Sequence, residues 1–387
     1  MGKRSWDLAL VFHARNAVAA AMPVSIIWLL LFAISFAVQI AYWLVLHQGF
    51  RRAQRGSGAV PAAPLPPISV VVAVRDEASR LPALLEALTR QTHPGYEILV
   101  VDDASTDATP DVVRAWQQAH PHIRLVRVEQ PEEPRKKHAL ARGIEAASYD
   151  LLVLTDADCA PPPGWLTALA RQHVAASEDT VLVGYSPFRR APGLLNRLAR
   201  YETFVTGFLT AAAAGLDRPY MAVGRNLSYS RAVFRRLHGF AHSLHSMSGD
   251  DDLLVQEVAR RRVASVRPIL DARSFVPSVP PETWRQWLRQ KRRHLSAGRF
   301  YDRNMQRHLA LFHATGIALW AAPLGLGWIG GGLLVAKLFV QGLILRRAAR
   351  VLRERDLVAS QPFLELLYAG YNLFIAPLGL ARLPKRW

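Results

Sequence analysis

A single cysteine, Cys159, among 387 residues leaves no partner for an intrachain disulfide and removes closed zinc sites built on cysteine pairs. His238, His242 and His245 lie close in sequence, but their spacing fits no closed zinc pattern either. Acids are scarce: 30 Asp and Glu face 48 Lys and Arg, a formal charge of +18. Such a balance can mark nucleic-acid binding, yet zinc-finger, RNP and basic-zipper patterns are all missing. With 51% apolar residues alongside, the basic surplus points to a membrane surface and anionic ligands.

Charge itself is missing from Pro23 to Leu46, about 24 residues, enough to cross a hydrocarbon core of roughly 30 Å with some tilt. The run is too long for a signal peptide and no small-residue cleavage site closes it, so a transmembrane helix is expected. Met1 to Met22, with Lys3, Arg4, Asp7 and Arg15, reads as a loose or amphipathic lead-in. Arg51, Arg52 and Arg55 follow the apolar run, which places the next segment in the cytoplasm by the positive-inside rule.

Five segments are expected: lead-in and transmembrane helix (1–55), Gly/Pro linker (56–67), cytoplasmic catalytic domain (68–281), interfacial amphipathic helix (282–307) and C-terminal membrane region (308–387). Within the domain, β-branched runs alternate with helical stripes. Ile68 to Val74, Tyr96 to Val101, Ile123 to Val128, the run after Asp150 and Val181 to Tyr185 read as strands; Tyr220 to Phe234 reads as a strand with a turn. Helices are expected at Leu81 to Leu88, from Thr109, at Lys136 to Ala147 and at Ser248 to Arg260, with Asn196 to Gly215 lying near the membrane interface. Pro161 to Pro163 stops regular structure. The alternation implies a mostly parallel α/β sheet covered on both faces. Beyond the domain, His308 to Gly327 and Trp328 to Leu345 read as two spans joined by a Gly-rich turn. Phe363 to Leu380 is a shorter apolar segment, either a third span or a re-entrant or interfacial helix, because a full span would leave Arg382, Lys385 and Arg386 outside.

The chemistry gathers at strand ends. In YDLLVLTDADC, Tyr149 to Cys159, an apolar run stops at Asp156 and Asp158, where two carboxylates can hold a divalent cation against a diphosphate. The first strand ends in Arg75-Asp76-Glu77, and the second in Asp102-Asp103 within VVDDASTDAT. A carboxylate there suits uracil or ribose hydroxyls. Gly249-Asp250-Asp251-Asp252 opens a helix, where acids also serve as caps and complement the macrodipole.

In their order these signatures resemble the family 2 inverting glycosyltransferases with a GT-A nucleotide-sugar fold, over about Pro67 to Phe300, and the flanking spans resemble the membrane-embedded members. The resemblance implies a donor site of Arg75, Glu77, Asp102, Asp103, Lys137, Asp156, Gln290 and Arg293, with Mg²⁺ or Mn²⁺ on Asp156 and Asp158. It implies a catalytic base at Asp250, with Asp251 as second choice, and an acceptor or sugar pocket at Asn226 and Asp252. Gly249 stands where the family has a glutamate. In the Q-x-x-R-W motif, Gln290 and Arg293 match while His294 replaces the tryptophan.

The expected function is transfer of a sugar, UDP-linked, to a hydroxyl of a membrane lipid or glycan by a multi-pass inner-membrane enzyme with a cytoplasmic catalytic domain. Two rivals differ in chemistry: a polyprenyl-phosphate sugar synthase needs no strong base, and a non-catalytic nucleotide-sugar-binding membrane subunit needs no turnover. No nucleic-acid partner is expected.

Overall fold

The structure, a computed structural model, describes residues 4–56, 63–176 and 178–377, with side chains from residue 26 onward. Half of the linker, residues 57–62, and the terminal Arg382, Lys385 and Arg386 lie outside the described residues. Contacts divide the chain into an apolar helical unit, Met1–Val45 with Arg307–Ile344, and an α/β unit, Leu46–Gln306 with Leu345–Trp387.

Helix α1 (Arg4–Gly56) leads in, and alternation follows. The elements are β1 (Ile68–Val74), α2 (Leu81–Thr89), β2 (Tyr96–Asp102), α3 (Thr109–Ala119), β3 (Ile123–Arg127), α4 (Arg135–Ala146), β4 (Leu151–Leu154) and α5 (Trp165–Ala175). Then come β5 (Thr180–Gly184), α6 (Leu194–Gly215), β6 (Leu227–Ser230), α7 (Arg231–Arg236), α8 (Asp252–Arg261), β7 (Ser265–Ile269) and α9 (Trp284–Ala297). The seven strands form one sheet in the order β3-β2-β1-β4-β6-β5-β7. Only β6 runs against its neighbours, so the sheet is mixed and mostly parallel.

All seven residues of β1 are buried, as expected of a central strand covered on both faces. Val70, Val72, Leu84, Leu85, Val113, Trp165 and Leu169 share the core on one face, and Val71, Leu99, Val101, Leu140, Ile144, Leu254 and Val258 the core on the other. Register matters more for function. Val74 pairs with Asp102, so the turns after β1 and β2 emerge side by side, and Val71 pairs with Leu154, which brings Thr155 to Asp158 out beside them.

Three elements differ from expectation. Regular structure resumes directly after the prolines as α5, whose Trp165, Leu166, Ala168, Leu169 and Ala170 are buried. Strand β7 was hidden by Pro268, a residue tolerated here because β7 is an edge strand. Of Tyr220 to Phe234, only Leu227–Ser230 is strand, and Arg231 begins a helix capped by the Ser230 side chain.

Helix α6 is a buried member of the α/β unit, with Tyr201, Phe204 and Phe208 almost wholly enclosed. The end of α1 packs on it through Phe50, whose ring centroid is 5.2 Å from that of Phe208. Helix α10 (Arg303–Val351) breaks at Gly327 (φ 55, ψ -130), so two helices meet at the turn the glycines predicted. Downstream of it, Glu354 and Asp356 pair with buried Arg200 of α6, and Tyr201 donates to Glu365 of α11 (Gln361–Gly370) at 2.7 Å. Helix α11 runs on through a π-helical turn, Tyr371–Ile375, to Pro377, where the described residues end. By length and composition α1, from Ile26, and α10 are each able to cross a membrane. Their surfaces are apolar and open, as at Ile27, Leu30, Leu324 and Trp328.

Candidate active site

The first turn of α4 organises the site. A Cβ on Gly143 would lie 2.6 Å from the side chains of Val71 and Val101, so only glycine lets α4 settle this closely on β1 and β2. Its first turn then overhangs their carboxyl ends. That turn reads Arg135-Lys136-Lys137 with no acid, although cations there oppose the helix macrodipole. The three cations go to three different places, and each finds a compensating partner.

Arg135 donates from Nε to Asp103 Oδ2 at 2.8 Å. Burial nevertheless pushes the Asp103 carboxyl up, against the pull of Arg135 and Arg75. Asp103 Oδ1 is a buried acceptor that lacks a hydrogen-bond donor among the described residues, and Asp102 Oδ2, equally buried, has Arg127 Nε at 3.4 Å. Carboxylate oxygens with spare acceptor capacity at a strand end suit the donor groups of a nucleoside. The turns around them are interlocked: Thr106 N donates to Asp76 Oδ1 (2.7 Å), and Glu77 N donates to Thr109 Oγ1 (2.9 Å). Arg75 lies 3.7 Å from Asp76 and has no tighter ion pair among the described residues.

Lys136 places its ammonium 3.0 Å from Asp156 Oδ1 and 3.1 Å from Asp250 Oδ2. Burial disfavours its charge, but Asp156, Asp250 and Asp251 outweigh that and hold it above the ordinary lysine range. For Asp156 burial acts upward, while Lys136, Arg225 and Arg293 bring the carboxyl below its usual value. Asp158 goes the other way: burial and the charge of Asp156 raise it despite Arg225. Glu77 is likewise raised, by burial first and then by Asp158 and Asp156, with Arg80 opposing.

Asp158 and Glu77 are therefore carboxyls whose burial the nearby Arg225 and Arg80 do not fully offset. Hard divalent cations are commonly held by one or two carboxylates plus phosphate oxygens and water, and Asp158 with Asp156 fits that donor set. No cluster of three or more metal-ligating side chains occurs among the described residues, so phosphate oxygens would have to complete such a shell.

Lys137 does not serve as the sequence reading expected. Its ammonium donates to the carbonyls of Ser243 (2.6 Å), Ser246 (2.9 Å) and Ser248 (3.0 Å), and burial pushes its pKa down to about 8 against Asp250 and Asp251. Lys137 thus fixes the loop that delivers Asp250. In that loop Gly249 has φ +81, and a Cβ there would meet Leu253 Cγ at 2.7 Å, which accounts for the missing glutamate.

The three following acids divide their duties. Asp251 caps α8, accepting from Asp252 N and Gly224 N, both at 2.8 Å. Asp252 accepts from Ala222 N at 2.9 Å and from Tyr301 OH at 2.5 Å; burial and Asp251 lift it well above the carboxylate range. Asp250 has only Lys136 as a partner among the described residues and is the acid left for chemistry.

Asn226 is fully enclosed rather than lining a pocket. Its Oδ1 accepts from Trp165 Nε1 (3.0 Å), and its Nδ2 donates to Tyr185 O (3.0 Å) and Ser274 O (2.7 Å). Its neighbour Arg225 faces the acids instead. Arg225 bonds to Ser278, lies over the Phe188 ring at 5.2 Å, and pulls on both Asp156 and Asp158. Helix α9 begins with a Thr283/Gln286 capping box and is tied to α6 by a Lys291–Glu202 ion pair. It brings the charge of Arg293 to bear on Asp156 and Lys136, and Gln290 Oε1 is buried without a donor among the described residues. Trp284 is exposed, whereas Trp287 is core, packed on Tyr371 with ring centroids 5.2 Å apart.

Asp156, Asp158, Asp250 and the first turn of α4 thus share one cleft, with Asp103 joined through Arg135. Lys136 and Arg225 are the residues that sequence reasoning missed. A run of cations at the wrong end of a helix could have pointed to Lys136; nothing in the sequence around Arg225 distinguishes it.

Carboxylates and cations on the carboxyl ends of a mostly parallel sheet define a GT-A-like α/β fold. Residues 69–237, within the α/β unit, match the family model Glycosyl transferase family 2. The solved mannosyltransferase PcManGT from Pyrobaculum calidifontis, in complex with GDP-Man and Mn²⁺, aligns with a TM-score of 0.51 at 23% identity. The alignment covers 89% of this chain and 99% of that one, a likeness of fold. Glycosyltransferase AglE of Haloferax volcanii is 36% identical over 104 residues, 26% of this chain and 34% of that protein. The undecaprenyl-phosphate 4-deoxy-4-formamido-L-arabinose transferase of Serratia proteamaculans is 33% identical over 124 residues, 31% and 37% of the two chains. The chain spans about a third of the length of these two curated relatives.

Proposed function

We propose that the protein is an inverting glycosyltransferase that moves a sugar from a UDP-linked donor to a hydroxyl of a lipid or glycan at the inner membrane. The observation that carries this reading is the Lys136 ammonium held between Asp156 and Asp250, which puts the diphosphate end and the acceptor end of a displacement within one cleft.

Asp102 and Asp103 receive the nucleoside, with Arg75 and Glu77 on the adjoining turn. Lys136, Arg225 and Arg293, with Gln290, face the diphosphate, Lys136 taking the role first expected of Lys137. Asp158 and Asp156 would hold Mg²⁺ or Mn²⁺, which when bound offsets charge on the departing nucleotide. Asp250 takes the proton from the attacking hydroxyl, the one base that a single inverting displacement needs. The two long apolar helices anchor the enzyme as a multi-pass membrane protein, with the α/β domain in the cytoplasm.

The test is nucleotide release by the purified full chain with UDP-glucose, UDP-galactose, GDP-mannose and extracted membrane lipids, with and without Mn²⁺. Lipid-dependent release lost on chelation supports the reading. A phosphate lipid accepting sugar with Asp250→Asn at near-normal turnover would replace it with polyprenyl-phosphate chemistry. Binding of donor with no turnover would leave only a nucleotide-sugar-binding subunit.

A further inference from the structure

A cavity of about 90 Å³ lies between α6, α9 and the carboxyl ends of β5 and β7. Arg225 and His294 line it, and both also act on the acidic cleft or its lysine, so cavity and cleft adjoin. Thr203, Thr206 and Thr210 face it from one stripe of α6, spaced as neighbours on a helix surface. Among the described residues none of these three hydroxyls has a hydrogen-bond partner, nor has the His294 ring. The Glu202–Lys291 pair also lines the cavity, and Phe188 and Tyr185 add apolar ring surface.

We propose that this cavity seats the acceptor, and that the acceptor group it takes is a polyhydroxylated ring or polyol of monosaccharide size. The inference rests on the glycosyl-transfer reading and deepens it. Free hydroxyls, an imidazole and an ion pair around ring surfaces offer both donors and acceptors, which is what a polyol needs and a bare phosphate does not. Size narrows the choice: at roughly 10–15 Å³ per water the space holds on the order of six waters, about what one pyranose displaces. Desolvation by the surrounding protein and the charges of Arg293, Lys291, Arg225 and Lys136 hold the His294 ring well below its usual range, although the residue keeps an exposed face. At neutral pH one ring nitrogen therefore donates and the other accepts. The imidazole that stands in for the motif's tryptophan is smaller and leaves this space open.

Binding tests the pocket without requiring turnover. The full chain is purified in a detergent without a sugar headgroup, and methyl β-D-glucoside binding is measured by titration calorimetry in the absence of donor. Loss of two hydroxyl contacts in Thr206→Val/Thr210→Val should weaken binding by about tenfold or more. Thr206→Ser, which keeps the hydroxyl, should bind as wild type does, and His294→Trp should abolish binding by filling the space. Melting temperatures within a few degrees of wild type confirm that each variant is folded. The inference is overturned if wild type does not bind the glucoside at tens of millimolar, or if the double variant and His294→Trp both bind within twofold of wild type. A parallel titration with monoglucosyl-diacylglycerol in nanodiscs decides between a lipid headgroup and a free glycan end as the source of the ring. Failure of every donor to turn over while the glucoside still binds would defeat the function proposed above and leave this site standing.

Discussion

Asp250 and Lys136 touch each other, yet their replacements should fail in different ways. Asp250→Asn removes the base and should lower kcat by about a thousandfold, within the range for general-base loss, while donor KM changes little. Asp251→Asn instead disturbs a helix cap and should cost about 1 kcal/mol of stability with activity largely retained, read by thermal melting. Lys136→Met should raise donor KM and lower kcat together. Lys137→Met should leave three loop carbonyls without their donor and reduce stability by roughly 1–3 kcal/mol, at an unchanged donor KM in the fraction that stays folded. At this scale the sequence was legible as to position: Asp156 and Asp158 follow β4 at the carboxyl edge of the sheet, where the apolar run ends. It misled where two identical residues adjoin, because which lysine faces the cleft is decided by helical phase, a difference of about 100° per residue. Asn226 was unreadable for another reason: a polar residue inside a core and one lining a pocket look alike until its three hydrogen-bond partners, distant in sequence, are known.

Among elements, β6 and α5 are joined by a buried contact with a pH signature. His173 of α5 bonds to Ser228 of β6 at 2.8 Å, and burial pushes the imidazole down to about 4, with Asp179 opposing weakly. An unfolded histidine titrates near 6.5, so between about 6.5 and 4 the unfolded chain binds the proton first. Stability is complete above pH 6.5 and is lost as pH falls through that window. The melting temperature should therefore drop from pH 7 to pH 5, and His173→Gln should shrink that drop. Element order was legible wherever apolar runs were clean, as in β1, β2 and β4. Edge strand β7, partly exposed and interrupted by Pro268, carries too little of that signal. The single antiparallel strand β6 could not be foreseen, since strand direction depends on where the chain returns to the sheet and not on local pattern.

At the level of the whole chain, membrane topology can be tested with cysteines, because Cys159 is buried and replaceable by alanine. In that background a cysteine at exposed Ser79 should react from the cytoplasmic side, and one at Leu326, beside the break in α10, from the opposite side. Labelling of both from one side would refute the orientation. The α/β unit is also discontinuous: residues beyond Leu345 return to it, and the acids that neutralise buried Arg200 among the described residues, Glu354 and Asp356, lie past the second apolar helix. A chain stopped at Val351 would leave that guanidinium buried without counter-charge, a loss of about 3–5 kcal/mol, and should be recovered as aggregate. During synthesis the ribosome must therefore emit both α1 and α10 before the α/β unit can close around its own arginine. Competence thus waits on the far end of the α/β unit, and a version trimmed back to the residues before α10 would be missing its keystone.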